Sequence, residues 1–118
     1  MDGEEARDLG RRAAACKGFR PMPGMRDFDG RTWTPDLLWR WTPKVDLPDL
    51  RDPATLGCML ALVREAWGQE DMGAVRIFRD GLRKWCVEHD EDDAQAGAFY
   101  GPTEAEALVA ALEASPCP

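Results

Sequence analysis

Residues 52–68 constrain the fold of this chain more than any other stretch. Asp52 is a natural N-cap, Pro53 suits the first helical position, and Gly68 falls just past the last turn. Between them Leu56, Met59, Leu60, Val63 and Trp67 form an apolar stripe. Cys58, Ala61, Leu62 and Ala66 widen that stripe around most of the circumference, leaving Arg64 and Glu65 as the charged residues of the helix body. A helix so widely apolar belongs in the centre of a domain. Gly57 is expected to let a neighbouring element approach it closely.

The segments on either side must supply that surrounding. Ala6, Leu9, Ala13 and Cys16 recur at helical spacing and predict a helix over 3–16, with Asp2, Glu4 and Glu5 at its N-terminal end. Pro21-Met22-Pro23-Gly24 is then rigid and extended. Asp29-Gly30 between Met25–Phe28 and Arg31–Thr34 reads as a two-residue hairpin link, because both central residues of such a turn need positive φ. Residues 36–41 fit one turn of helix or a short strand, and prolines 43, 48 and 53 enforce a surface loop after them.

Beyond Gly68 the hydrophobic period changes to two. Ala74–Arg79 and Leu82–His89 flank Asp80-Gly81, a second hairpin link, in a register that sets Arg76 across from Trp85. Ala96–Tyr100 predicts a third strand. Thr103-Glu104-Ala105-Glu106 is a capping box that opens a last helix, with Ala105, Leu108, Val109, Ala111 and Leu112 on its buried side. The expected fold is α+β: a small antiparallel sheet with a central buried helix and two amphipathic helices. Its order is α-(ββ)-α-βββ-α, in a single domain over residues 1–118.

Charge is divided unevenly along this chain. Residues 1–68 carry eleven acidic and eleven basic side chains. Residues 69–118 carry eleven acids against Arg76, Arg79, Arg83 and Lys84, so the whole net charge of −7 lies there. Such a field repels nucleic acid and membrane headgroups and attracts basic protein surfaces. The longest apolar run, Cys58 to Val63, is far below the ~20 residues that span a bilayer. The acidic start Met-Asp-Gly-Glu-Glu lacks the apolar core of a signal peptide, and the four cysteines form no C-x-x-C pair. A cytoplasmic protein with reduced thiols is expected.

No catalytic motif accompanies the charge. Glu88-His89-Asp90-Glu91-Asp92-Asp93 is rich in oxygen ligands, yet it lacks the glycine and terminal glutamate of a calcium loop. It reads as a solvated strand connection, so neither metal nor cofactor is expected. His89 is the chain's one histidine and Ser115 its one serine. Cys86 and His89 lie at an odd offset, which points them to opposite faces of a strand. No nucleophile, base and orienting group can be assembled, and no glycine loop follows a nucleotide fingerprint. The expectation is a protein without enzymatic activity. Seven basic residues from Arg7 to Arg31, followed by Trp33, Trp39 and Trp41, have the composition of a protein-binding hot spot.

Three stretches together, RRAAACKGFRPMPGM (11–25), LPDLRDPATLGCMLALVREAWG (47–68) and GPTEAEALVAALEA (101–114), resemble a group of small, uncharacterised proteins of bacteriophages and prophages. That resemblance implies an accessory protein acting in the host cell cytoplasm, with anti-CRISPR inhibitors as the best-known class. A host protein is the implied partner, a CRISPR effector subunit among the candidates. Direct nucleic acid and membrane binding are not expected, and a homodimer stays open. Glu70, Asp71, Asp90, Glu91, Asp92 and Asp93 would meet basic groups on the partner, with Trp39 and Trp41 as anchors. The strand meander followed by Thr-Glu-x-Glu-Ala-Leu is also similar to the partial RNase H-type domain of HicB-like antitoxins. The alternatives are thus an antitoxin-like regulator of gene expression and a structural phage homo-oligomer.

Overall fold

The computed structural model describes residues 2–42, 45–68, 73–79, 82–88 and 98–115, with backbone alone for 73–79, 82–84, 88, 98 and 100. Three α-helices, α1 (Gly3–Ala14), α2 (Pro53–Trp67) and α3 (Glu104–Glu113), dominate a mixed fold. Strands β1 (Gly73–Arg79), β2 (Leu82–Glu88) and β3 (Ala98–Gly101) lie between α2 and α3 in the chain.

Each helix begins at a side-chain cap. The Asp2 carboxylate accepts from the Glu5 amide at 2.8 Å, Asp52 from Thr55 at 3.0 Å, and Thr103 from Glu106 at 3.2 Å. Pro53 occupies the first turn of α2, and Gly68 closes it in the left-handed region with φ 66°. Helix α1 stops at Ala14, two residues short of the expected end. The chain turns there, with the Cys16 amide bonded to the Ala13 carbonyl and Phe19 to Cys16. Gly10, inside α1, is a packing site: a Cβ there would lie 2.8 Å from the Pro48 carbonyl.

The Asp29-Gly30 link is not the two-residue hairpin its sequence suggests. Arg26 and Thr32 form an isolated bridge, so Asp27 faces Arg31 and the loop inside that pair is residues 28–30, three rather than two. Gly30 donates to the Asp27 carbonyl, Asp27 to the Arg31 carbonyl, and Gly30 has φ 82°. That is the bonding of a three-residue loop ending in a bulge. Asp27 selects it: its buried Oδ1 accepts from the Asp29 and Arg31 amides, which fixes the turn one residue earlier. Residues 38–40 resolve as one turn of 3-10 helix.

The sheet order is β1-β2-β3, with β1 and β2 antiparallel and Arg76 opposite Trp85. Strand β2 pairs antiparallel with β3, setting Cys86 opposite Tyr100. The Asp80-Gly81 link and residues 96–97 lie outside the described residues, as does the Arg76 side chain.

The central helix is α3, not α2. Ala105, Ala107, Leu108, Val109, Ala111 and Leu112 are all buried, and α3 touches α1, α2 and every strand. Fully burying each of its larger side chains contributes about 1.5–3 kcal/mol. Helix α2 buries Thr55, Met59, Leu62 and Val63, while Gly57 and Ala61 face outward. Among the described residues nothing lies within 4 Å of a Cβ built on Gly57, so none of their elements approaches there. Of the residues that widen the α2 stripe, Leu62 is buried, Cys58 and Ala66 are half-buried, and Ala61, a small residue, is left in water at little cost. Trp67 pins the two helices by donating its indole N–H to the Ala111 carbonyl at 2.9 Å, and its ring meets Phe99 of β3 at 5.5 Å.

Candidate protein-binding surface

The segment Thr34–Asp46 carries two tryptophans with opposite fates. A turn at Thr34 accepts the Leu37 amide, and the 3-10 turn follows, with Arg40 bonded to Leu37 and Trp41 to Leu38. One tight turn sends the side chains two residues apart to different sides. Trp41 turns inward, half-buried against Trp33 with ring centroids 4.8 Å apart, and against Phe19 at 6.2 Å. Trp39 turns outward and is 81% exposed, with the Arg40 guanidinium 5.8 Å from its ring centre. Trp41 therefore holds the loop, and Trp39 is the anchor it presents. The buried indole N–H groups of Trp33 and Trp41 have no acceptor among the described residues, a cost that the aromatic packing must offset.

The far end of the segment is also tied. The Asp46 carboxylate accepts from the Thr42 amide at 2.8 Å, and the Thr42 carbonyl accepts from Asp46 at 2.7 Å. Val45, next to Asp46, is 76% exposed. The two large apolar side chains left in water among the described residues thus both come from one braced segment, the condition for a preorganised contact.

The six acids expected to steer a partner, Glu70, Asp71, Asp90, Glu91, Asp92 and Asp93, lie outside the described residues, as does His89. The basic N-terminal region is largely internally matched. Arg11 pairs with Asp8, Arg12 reaches Glu113 on α3 through two bonds of 2.6 and 3.2 Å, and Arg20 pairs with Glu65. Arg7 and Arg51 lie 4.8 and 5.3 Å from the centre of the Phe28 ring, and Arg51 is also held by Asp49. Trp33 is buried and Trp41 half-buried, so of the tryptophans in the expected patch Trp39 is the exposed one, while Lys17, Arg26 and Arg31 stay exposed.

Sequence inspection misses one feature altogether. Where α1 ends beside the end of α3, a cavity of about 410 Å³ is lined by Arg12, Ala15, Cys16, Lys17, Leu112, Glu113 and Ser115. Its two walls are about a hundred positions apart in the chain, so no local pattern announces it. Burial first, and Glu113 second, push the Cys16 thiol up to about 11. Cys58 is likewise raised, mainly by burial, and neither supplies a thiolate nucleophile at neutral pH. Among the described residues no group of three His, Cys, Asp or Glu could hold a metal ion. Nor, among them, is any helix long and apolar enough to cross a membrane. Comparison with protein families, curated proteins and solved structures finds no match to this chain.

Proposed function

We propose that this chain is a non-enzymatic phage accessory protein that binds and inhibits a host protein in the host cytoplasm. Its specific form is an anti-CRISPR inhibitor that blocks a nucleic-acid-binding site by acidic mimicry and steric occlusion. The observation that carries the reading is Trp39, a fully developed aromatic anchor on a loop braced at both ends, in a chain whose net charge of −7 falls wholly within residues 69–118. Aromatic anchors supply most of the energy of protein contacts, and complementary charge supplies approach rate. The resemblance of residues 11–25, 47–68 and 101–114 to phage proteins supports the setting.

The test is a tagged pull-down from nuclease-treated host lysate at low and high salt. The expected result is one dominant nucleic-acid-handling protein, released by salt. Replacing Asp90, Glu91, Asp92 and Asp93 with lysine should then lower kon roughly tenfold or more and flatten its salt dependence. Recovery of phage structural proteins alone, or tight binding of duplex DNA by the purified chain, would defeat this reading.

A further inference from the structure

We propose that one buried water molecule joins Asp27 to Trp33 and Trp41, and so makes Asp27 a positioning residue for the loop that carries Trp39. Three buried side-chain atoms have no hydrogen-bond partner among the described residues: Asp27 Oδ2, Trp33 Nε1 and Trp41 Nε1. Asp27 is 3% exposed and Trp33 2%. Orphaned buried polar atoms are rare in folded proteins, and each calls for an explanation.

The backbone gathers all three in one region. Trp33 donates its amide to the Met25 carbonyl, and Asp27 donates to Arg31, on either side of the Arg26–Thr32 bridge. Alternate residues of such a ladder share a face, so Arg26 and Thr32 face water while Met25, Asp27 and Trp33 face inward. Asp27 and Trp33 are diagonal neighbours on that inner face, a spacing that long aromatic side chains bridge. Trp41 packs edge-on against Trp33, with ring centroids 4.8 Å apart.

The chemistry selects the guest. Two of the orphans are indole donors and the third is a carboxylate oxygen. A cation cannot accept from an indole N–H, and Asp27 repels an anion. Water does both: it accepts from the two indoles and donates to Oδ2, the about three bonds typical of a buried water. The guest lifts the cost that ring packing otherwise has to offset. The other oxygen of the same carboxylate holds the Asp29 and Arg31 amides. Asp27 thus fixes the turn with one oxygen and, through the water, Trp41 with the other. The inference does not rest on the host-protein reading, and the purified chain alone reads it.

Water-selective NOESY and ROESY spectra of the isotope-labelled protein test it at the indole Hε1 signals. Those of Trp33 and Trp41 should show cross-relaxation with water, of the sign that a long-lived bound molecule gives. Asp27→Asn separates the bridge from the turn. Its oxygen can still accept from the Asp29 and Arg31 amides, while its NH2 faces the water as a third donor. Flipping the side-chain amide would set that NH2 against the two backbone N–H groups. The variant should lose both water signals while the Asp29 and Arg31 amides stay protected. Its Trp33 and Trp41 indole protons should exchange at least about fivefold faster relative to the Trp67 indole, which bonds the Ala111 carbonyl. The wild-type spectra decide the matter even if the variant does not fold. Absence of the water signal from either indole of the wild-type chain, or its survival in Asp27→Asn, would overturn the proposal.

Discussion

Cys16 shows how one residue takes its chemistry from its place. Its thiol donates to the Arg12 carbonyl at 3.2 Å, at the seam between α1 and α3. Burial, reinforced by Glu113, raises its pKa to about 11. At pH 8 about one such thiol in a thousand is ionised, against roughly one in four for a free cysteine near 8.5. Iodoacetamide should therefore alkylate Cys16 roughly a hundredfold more slowly in the native protein than in urea, read by peptide mass spectrometry. Equal rates would show the thiol to be open to water. The linkage has a definite sign: the contribution of this raised pKa to stability is whole below about pH 8.5 and is lost as pH rises toward 11. Trp39 and Trp41 make the same point through packing, since one turn of 3-10 helix separates an anchor from a brace.

At the scale of elements, two glycines give opposite expectations. Gly57 lies in the outward face of α2 with open space around its missing side chain, so Gly57→Ala should stabilise by about 0.5–1 kcal/mol. Gly101 ends β3 against α3, and a Cβ there would meet the Ala107 amide nitrogen at 2.7 Å and Glu106 Cβ at 2.8 Å. Gly101→Ala should destabilise by about 1–3 kcal/mol, because backbone has to move to admit it. Urea unfolding of both variants checks the pair. What the sequence discloses follows the same division. Caps are legible because Asp2, Asp52 and Thr103 act on amides three residues away, and the ends of α2 stand where Asp52 and Gly68 put them. The loop after Met25 is misread because Asp27, outside the Asp-Gly pair, decides where the turn begins. The cavity beside Cys16 and the ranking of α2 against α3 are settled by tertiary contact, which residue spacing does not encode. Of the candidate surface, the aromatic composition is legible; which ring faces water is not.

Across the whole molecule, repulsion outweighs pairing in the charge balance. The ion pairs described are surface contacts, whose attraction water and salt largely screen. The excess of acid in residues 69–118 repels itself, and salt screens that repulsion within about 10 Å at 0.1 M. Raising sodium chloride from 20 to 200 mM should therefore increase Tm by a few degrees, on the order of 2–4 °C, by calorimetry. A fall in Tm would mean that pairs such as Arg12–Glu113 matter more than the acidic excess. The central position of α3 also bears on how the chain is made. Until residues 104–113 have been synthesised, α1, α2 and the sheet lack the element that they all pack against. A chain that stops short of residue 104 therefore leaves uncovered the faces of α1, α2 and the sheet that pack on α3, the kind of apolar surface on which partly made chains aggregate.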